Sequence, residues 1–394
     1  MSSFSKRSDP WMEEPWLDYV VFPGGAEISS TDVPDSNTPW SCGRMVWSPH
    51  PNAEPTAVAV KALLARRAAW SNVDLITSAT KTFEFDSFAC SQELVHGVYA
   101  QQFFHYFTAI RIPSAADPSA SFYLWQRADV GLGTLDLVQF AMDPTQDLVV
   151  FLYNGQDEIS RLVCRRLSSL QPHPFAAVAL LAFPNPWTLC HFAMEIADDI
   201  IAIFPQTCRL RLVLYDWRRG NIIHDVHFEP HIASFHFLTP RVFVLASRQD
   251  SGSIEIWSLG DDEPIQPVHV ATLQLPSIVG GGAAMLRHVD IYSNPFLAYP
   301  TAGKPWSKSN ERRLCAFCLR YRVGEDNNDW LYDLFVHSRY LLTYAARPGN
   351  QLETVAWDSW GPQHSRMLVR EIWQMFRDMF RCVLSWFLSS HLVD

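Results

Sequence analysis

The sequence predicts an all-β fold, because one short supersecondary unit recurs along the chain. Three segments, which begin at residues 140, 192 and 235, share a short apolar strand, a polar turn and a second strand that is apolar on both faces. The segments recur about every 40 to 50 residues, a spacing typical of β-propeller blades. From residue 80 onward, strand-like runs also follow one another without intervening helices. We therefore expect a β-propeller-like domain of about six or seven blades of antiparallel strands.

Composition supports a folded protein and argues against several classes of partner. Hydrophobic residues make up 48% of the 394 residues, enough to form a large core. The formal net charge of −10 argues against a nucleic-acid partner, because phosphate contacts need a basic surface. No run of about 18 apolar residues is present, so we expect no membrane span and no membrane partner. Phosphate loops and Rossmann glycine patterns are absent from the sequence, and no cofactor is expected.

Cysteine usage and the first residues predict the compartment. The eight cysteines are spread singly from Cys42 to Cys382, which is typical of reduced, buried thiols in an intracellular protein. The N-terminal segment has neither the apolar core of a secretory signal nor the pattern of a transit peptide. We expect a cytoplasmic and/or nuclear protein without disulfides.

Four regions are predicted along the chain. Residues 1–58 are rich in Pro, Ser, Asp and Glu and are expected to form an extended or disordered arm. Residues 59–79 carry apolar side chains at helical spacing, which predicts one amphipathic helix. Residues 80–365 contain the propeller-like domain. Residues 366–394 return to helical spacing and are expected to form a C-terminal helical tail.

Turn residues divide the early part of the propeller-like domain into strands. Pro113 and the Asn154-Gly155 pair are turn formers, since proline fixes φ and glycine accepts a positive φ. The strands predicted between such turns are 82–88, 95–101, 104–112, 121–125, 135–141 and 148–153.

The third repeated segment extends into a longer pattern. Residues 232–237, 241–247 and 253–259 are predicted to form three consecutive strands. Their order resembles a WD repeat, in which the third strand ends in a Trp followed by Asp. Trp257 would hold the Trp position, and Tyr215 the equivalent position of the second segment. The residues assigned to this structural blade motif, whose aromatic members are expected to pack between blades, are Tyr215, Asp216, Trp217, Trp257, Trp357 and Trp360.

The order of several short motifs resembles the C-terminal region of a family of fungal F-box-like proteins. These motifs lie at 63–70, 93–100, 140–148, 172–174, 215–220 and 357–366. Such proteins usually begin with an F-box that docks on the SCF adaptor, and residues 1–58 do not resemble one. The resemblance implies a substrate-recognition module without a recognisable F-box, for which the SCF adaptor is a candidate partner.

Four residues between 224 and 231 form the cluster that looks most like a catalytic or metal site. His227, Glu229 and His231 would share one face of an extended strand and, with His224, offer nitrogen and oxygen ligands for zinc. The alternative is that they are polar residues at the junction of two blades, where Pro230 marks the break. This second interpretation is favoured, because metal sites also need groups that orient the ligands. We expect no metal site.

Two further groups of reactive residues are expected to be structural. Cys315 and Cys318 form a lone CxxC motif whose sulfurs would point to opposite faces of a strand. Asp198 and Asp199 fall in a predicted turn, where solvated carboxylates are usual.

The function predicted from these observations is a non-catalytic protein-interaction module, whose loops present contact residues to protein partners. Trp11 and Trp306 lie in arm-like or loop-like composition and are candidate contact residues, because aromatic side chains carry much of the energy of interfaces. The alternative is a hydrolase or lyase that uses the central tunnel of the ring, with His and Asp residues lining the tunnel.

Overall fold

The chain forms two compact units, each described here by itself. The first unit comprises Met1–Thr80 and Pro300–Ser309, in which strands β1 (Trp47–Pro49) and β21 (Trp306–Lys308) pair in antiparallel fashion. The second comprises Lys81–Tyr299 and Asn310–Asp394. The computed structural model describes residues 47–49, 91–103, 106–112, 123–127, 136–154, 157–184, 192–205, 211–260, 266–280, 282–283, 285–297, 306–308, 313–323, 328–346 and 352–369.

The described residues of the second unit form five sheets of four or five strands, which we number blades 1 to 5 in chain order. A small sixth sheet, made of the two-residue strands β18 (Val279–Gly280) and β19 (Gly282–Ala283), lies between the first strands of blades 4 and 5 in the sequence. Blade 1 consists of β2 (Ser91–Val95), β3 (Val98–Phe103), β4 (Tyr106–Arg111) and β5 (Tyr123–Arg127). Blade 2 consists of β6 (Asp136–Asp143), β7 (Leu148–Asn154), β8 (Ile159–Arg166) and β9 (Leu181–Pro184), and blade 3 of β10 (Phe192–Ala197), β11 (Ile200–Pro205), β12 (Arg211–Asp216) and β13 (Asn221–His227). Blade 4 consists of β14 (Ile232–Thr239), β15 (Val242–Ser247), β16 (Ser253–Leu259), β17 (Pro267–Gln274) and β24 (Glu353–Val355), and blade 5 of β20 (Met285–Ser293), β22 (Leu314–Val323), β23 (Asn328–His337) and β25 (Ser365–Val369).

The sheets are arranged as the blades of a β-propeller. Within each blade the strands pair in chain order, and every pair is antiparallel except β17 with β24. The first strands of consecutive blades contact one another, from β2 with β6 through to β14 with β20. The first strands are therefore innermost, and the last strands lie at the outer edges.

Five blades are present in the described part of the chain, so the prediction of six or seven is wrong for these residues. The error comes from dividing the length of the repetitive region by a constant period. Blade 5 runs from Met285 to Val369, because it contains two long connections between its strands. The all-β propeller architecture itself is confirmed, whereas the predicted strand 82–88 lies outside the described residues.

The three repeated segments are the first hairpins of blades 2, 3 and 4. Their second strands, β7, β11 and β15, are buried along nearly their whole length. In β7, Phe151 belongs to the core between blades 1 and 2, and its neighbour Val150 belongs to the core between blades 2 and 3. A strand stacked between two sheets must be apolar on both faces, which explains the pattern seen in the sequence.

Two helices connect the last strands of blade 5. Helix α1 (Ser338–Ala345) follows β23 and contacts β16 and β17 of blade 4. The chain then adds β24 in parallel to β17, forms helix α2 (Trp357–His364) and returns to blade 5 as β25. Because this connection crosses between the two sheets, blade 5 is completed only after the chain has paired with blade 4.

Several predicted boundaries are wrong. The predicted strand 95–101 contains a hairpin turn, in which His96 and Gly97 have φ of 53° and 73° and join β2 to β3. The predicted helical tail begins too early, because Arg366 to Val369 belong to β25. The remaining tail and the predicted helix at 59–79 lie outside the described residues.

Candidate functional site

The candidate site is a group of turns at one end of blades 2 and 3. In an antiparallel sheet whose strands follow chain order, the first and third turns lie at the same end. The turns concerned are 143–147 and 167–180 of blade 2, and 198–199 and 216–220 of blade 3. We call these four segments the turn cluster.

Asp143 fixes the first turn of blade 2. Its buried carboxyl group accepts hydrogen bonds at Oδ1 from the backbone N (2.9 Å) and Oγ1 (2.6 Å) of Thr145. Oδ2 accepts a third bond from Nε2 of Gln146 (2.9 Å). Nε2 of Gln146 also donates to the carbonyl oxygen of Asp198 (3.0 Å). The first turn of blade 2 is thereby bonded to the first turn of blade 3.

Trp217 anchors the last turn of blade 3. The side chain is fully buried, and Nε1 donates to the carbonyl oxygen of Asp198 (2.9 Å). Oδ1 of Asp216 accepts from the backbone N of Arg218 (3.0 Å) and Arg219 (2.8 Å), which closes the turn. Gly220 ends it with φ of +77°, a conformation that favours glycine.

His173 joins the long connection of blade 2 to this anchor. Nε2 lies 3.1 Å from the carbonyl oxygen of Gln146, and a carbonyl only accepts, so Nε2 carries the proton. Nδ1 accepts from the backbone N of Phe175 (3.3 Å). The imidazole also meets the Trp217 ring edge-on, with 4.8 Å between centroids. One ring nitrogen thus bonds the first turn of blade 2, and the other bonds the backbone of the connection itself.

Arg218 completes the network with a charged group. Its guanidinium lies 5.2 Å from the centroid of the Trp217 ring and donates to Oε1 of Gln146 (2.5 Å). The same nitrogen lies 3.3 Å from Oδ1 of Asp198. Burial raises the pKa of the Asp198 carboxyl group, and the charge of Arg218 opposes that rise. These polar groups thus link the first turn of blade 2 to the turns of blade 3.

The network supports an exposed apolar loop between β8 and β9. Phe175 is 70% exposed, although the backbone beside it is held on both sides. The backbone N of His173 donates to Cys164 O (3.2 Å), and that of Ala177 donates to Trp217 O (3.2 Å). A Cβ on Gly220 would lie 3.1 Å from Cβ of Ala177, so the loop and the turn are in close contact. Chemically, the arrangement presents an aromatic surface in a fixed position.

A second polar group joins the first strands of blades 3 and 4 to Arg313, the residue before β22 of blade 5. Glu195 Oε1 is 2.8 Å from Nδ1 of His236, and its Oε2 accepts from the backbone N of Phe237 (2.9 Å). Arg313 lies 3.4 Å from Nε2 of His236 and donates to the carbonyl oxygens of Asn294 (2.6 Å) and Phe237 (2.6 Å). We call Glu195, His236 and Arg313 the inner cluster.

The inner cluster has a defined protonation pattern. A guanidinium only donates, so Nε2 of His236 accepts from Arg313 and Nδ1 carries the proton that is donated to Glu195. Both imidazole nitrogens are engaged by protein groups. Burial lowers the pKa of Arg313, and the charge of Cys315 and then that of Glu195 oppose the change.

Glu93 in blade 1 is a carboxyl group whose pKa is strongly raised in the folded protein. Its Oε2 accepts from the backbone N of Met142 in blade 2 (3.0 Å). Burial raises the pKa of Glu93 to about 8, while the bond from Met142 lowers it and the charges of Glu195 and Asp143 raise it further.

Tyr215, Asp216 and Trp217 lie together at the end of β12 and in the turn that follows. Tyr215 pairs with the second residue of β11, and Trp257 pairs with the second residue of β15. A register shift with the fourth strand occurs at both residues. The two side chains thus hold the same place in blades 3 and 4. Trp257 stacks on His269, with ring centroids 4.6 Å apart.

The other predicted tryptophans lie elsewhere. Trp357 and Trp360 are not on a blade strand but on α2, where Trp360 is fully buried and its Nε1 donates to Gln274 O (2.9 Å). A Cβ on Gly361 would lie 2.3 Å from the Trp357 ring, which explains the glycine in this motif. Trp11 lies outside the described residues. Trp306 begins β21, and its side chain is outside the described set.

The cluster between 224 and 231 does not converge. His224 and His227 lie on β13, the outermost strand of blade 3, and Glu229 and His231 lie in the connection to blade 4. Within the described residues, no three His, Cys, Asp or Glu side chains form a group that could hold a metal ion. Burial lowers the pKa of His224, and the charge of Asp225 opposes that change.

The CxxC cysteines lie on β22 in different environments. Cys315 is fully buried, and burial raises its pKa to about 11. Cys318 is half-buried, and its Sγ donates to Oδ1 of Asp333 (3.0 Å). Asp198 and Asp199 form the turn between β10 and β11, as expected.

Sequence reasoning missed the residues that carry the candidate site. Gln146 and His173 lie inside motifs noted for their resemblance to a family, but neither was assigned a role. Phe175 follows directly after one of these motifs. Glu195 and His236 could have been noticed, because each is a polar residue in the apolar first strand of a repeated segment.

Comparisons with known proteins give structural neighbours only. No protein-family model matches the chain, and no curated protein does. The chain is similar to Hsv2 of Kluyveromyces lactis, with 9% identity, a TM-score of 0.34, and 64% of this chain and 74% of that chain covered. It is similar to the C-terminal WD40 domain of Sif2, with 9% identity, a TM-score of 0.33 and coverage of 70% and 90%. For the WD40 domain of SCAP from fission yeast the values are 8%, 0.35, and 72% and 74%.

The Sif2 and SCAP neighbours are WD40 domains, but at such TM-scores the likeness carries no argument about this chain. The propeller architecture rests on the order and contacts of the sheets described above. Among the described residues, no helix has the length and apolar character needed to cross a membrane.

Proposed function

We propose that this protein is a non-catalytic protein-interaction module that uses the turn cluster of blades 2 and 3 to present a contact loop. The observation that carries the proposal is Phe175, which is 70% exposed on a loop whose backbone is bonded to both blades. Burying a large apolar side chain from a fixed position favours binding, because little conformational entropy is lost on association. Aromatic residues are also frequent among the residues that dominate binding energy.

The resemblance to F-box-like proteins gives the proposal a narrower form. Three of the motifs that carry the resemblance, at 140–148, 172–174 and 215–220, meet in the turn cluster. Because these three motifs lie together, we interpret them as forming one surface. In this form the chain is a substrate-recognition module, and the SCF adaptor is a candidate partner. Nucleic acids, membranes, metals and cofactors are not part of the proposal.

The alternative of a hydrolase or lyase draws on the inner cluster, where a carboxyl group and an imidazole are paired on the innermost strands. A general base needs a ring nitrogen within reach of a substrate proton. Arg313 lies against Nε2 of His236, the nitrogen that would serve, and it also bonds several backbone carbonyls. This arrangement supports a structural role for the inner cluster and favours the interaction module.

The proposal is tested by purifying the tagged full chain from cells that express it naturally. Proteins that co-purify are identified by mass spectrometry, and each is then produced separately and mixed with the purified chain. We expect at least one to rebind in a defined ratio, and recovery of the SCF adaptor would support the narrower form. The tag alone serves as the control. If no protein rebinds the purified chain, the interaction module is wrong.

A further inference from the structure

The loop that carries Phe175 lies in an uncharged part of the sequence. None of residues 167–194 is Asp, Glu, Lys or Arg, although such residues make up 18% of the chain. A surface loop usually carries charged side chains, because they are the least costly to keep in water. The composition of this loop therefore needs a reason other than solubility.

The described part of this run exposes apolar side chains. We call residues 172–180 the apolar strip. Its exposed members, grouped on one connection, are Pro172, Pro174, Phe175, Ala177, Ala179 and Leu180. Exposed apolar groups that are contiguous in this way are typical of interaction sites, whereas single ones are common everywhere.

An arginine stands at each end of the apolar strip. At the blade 2 end, the backbone N of Arg166 donates to Gln171 O (2.8 Å). The Arg166 side chain is 49% exposed and forms an ion pair with Asp147 (2.9 Å), which is 33% exposed. At the blade 3 end, Arg219 lies within the turn 217–220, to which the strip is bonded through Ala177 N and Trp217 O (3.2 Å).

In the ion pair between Arg219 and Asp216, the positively charged group is the one exposed to solvent. The Arg219 side chain is 62% exposed, whereas its partner Asp216 is 5% exposed and lies 3.6 Å away. The carboxyl group of Asp216 also accepts two backbone N–H bonds, which keeps it in the turn. A ligand that approaches the strip from solvent therefore meets the guanidinium before the carboxylate.

We propose that the apolar strip binds a peptide segment of a partner protein that has an apolar centre and acidic side chains at both ends. This inference rests on the proposed function, and it names the chemistry of the partner. The ring of Phe175 would insert among the apolar side chains of the segment, and Arg166 and Arg219 would pair with its carboxylates. The net charge of −10 does not prevent this, because charges beyond about 8 Å are largely screened at physiological salt.

A random peptide library displayed on phage provides the probe. Peptides are selected on the immobilised full chain and depleted on the Phe175→Ala variant. The affinity of the best synthetic peptide is then measured by fluorescence anisotropy. We expect selected peptides with apolar centres flanked by Asp or Glu. Phe175→Ala should weaken binding by about tenfold or more, because the main anchor is lost.

A charge-reversal variant measures the contribution of Arg219 to binding separately from that of the Phe175 ring. Arg219→Glu should weaken binding of the acidic peptide by about fivefold to tenfold, and a peptide with Lys in place of the acid nearest Arg219 should prefer this variant. The matched control is Val369→Ala, because Val369 is also 70% exposed but lies on β25 of blade 5. It should leave the affinity unchanged.

Three results would overturn the inference: no peptide that depends on Phe175, selected peptides without acidic residues, or binding to phosphatidylcholine and phosphatidylserine vesicles that requires Phe175. The failure of the proposed function looks different. If natural partners rebind both the full chain and its Phe175→Ala variant, the chain is an interaction module that does not use Phe175, and the strip is wrong. If none rebinds the full chain, the module itself is wrong.

Discussion

The turn cluster and the inner cluster contain the same kind of hydrogen bond between blades but differ in what lies beside it. In both, side chains of one blade bond to the backbone of the next, as Gln146 does to Asp198 and Glu195 to Phe237. In the inner cluster the bonds end on buried residues, namely His236, Phe237 and Arg313. In the turn cluster they end beside Phe175, which remains exposed. Bonded backbone is common to both clusters, so the exposed anchor alone distinguishes the candidate site from the inner cluster.

The largest effect should come from breaking the inner cluster. Arg313→Met removes the donor to the carbonyl oxygens of Asn294, Phe237 and Leu238 in a fully buried position. Breaking a buried charged network by removing one partner costs about 3 to 5 kcal/mol. We expect a loss of this order in the free energy of unfolding, measured by urea denaturation.

The control for this change is Arg248→Met. Arg248 also bonds two carbonyl oxygens, those of Pro230 (2.9 Å) and Arg287 (3.3 Å), but at the surface. Its loss should cost less than about 1 kcal/mol. Equal losses for the two variants would contradict the role given to the inner cluster.

Glu93 should make stability depend on pH. Its pKa is raised from 4.5 to about 8 by folding, so the folded chain holds a proton that the unfolded chain releases between these values. Stability is therefore full at low pH and falls as pH rises toward the folded pKa. Between about pH 6 and about pH 9 we expect the free energy of unfolding to fall by roughly 1 to 3 kcal/mol, and Glu93→Gln to remove most of that fall.

Urea denaturation of both proteins at the two pH values measures the effect. Glu229→Gln is the matched control, since Glu229 is exposed in the connection after β13. It should leave the pH dependence of the parent protein intact. A Glu93→Gln variant that loses stability with pH as steeply as the parent would show that another group is responsible.

A smaller effect should come from Trp217→Phe. The substitution keeps a buried ring but removes the bond from Nε1 to Asp198 O, which leaves a carbonyl with one fewer donor. We expect a loss of about 1 to 2 kcal/mol in the free energy of unfolding, together with faster proteolysis in 167–180.

Trp257→Phe is the comparison for this variant. Its Nε1 bonds Glu255 on the same strand (3.2 Å), so no link between blades is lost. Cleavage of 167–180 at the parental rate in Trp217→Phe would mean that the anchor does not hold the loop.

The repeat and its strands were predictable, because stacking between two sheets demands residues such as Val150 and Phe151 that are apolar in succession. The number of blades was not predictable, because it depends on the lengths of the connections between strands. The connection through α1, β24 and α2 contains no copy of the repeated segment, so the sequence pattern does not predict it. Trp360, expected to belong to the structural blade motif, therefore lies on α2 instead.

The candidate site was predictable only in part. The turn at Trp217 follows from the repeat, but its contact with His173 depends on how blade 2 folds its last connection over blade 3. Similarly, Glu195 and His236 lie 41 residues apart, and their pairing depends on the stagger between neighbouring blades. A sequence period fixes which strands recur but not that stagger.

The smallest effect on folding, and the clearest separation of the two clusters, should come from Phe175→Ala. The ring is 70% exposed, so its removal should change the free energy of unfolding by less than about 0.5 kcal/mol. Phe151→Ala, which truncates a fully buried ring of the same type, should cost about 3 to 5 kcal/mol. Urea denaturation measures both, and the affinity for a rebinding partner is measured on the same preparations.

A stable Phe175→Ala variant that no longer binds would place function at the turn cluster, because no change in folding could account for the loss. A variant that unfolds as readily as Phe151→Ala would instead mean that the ring packs in the core and cannot be the anchor of an interface.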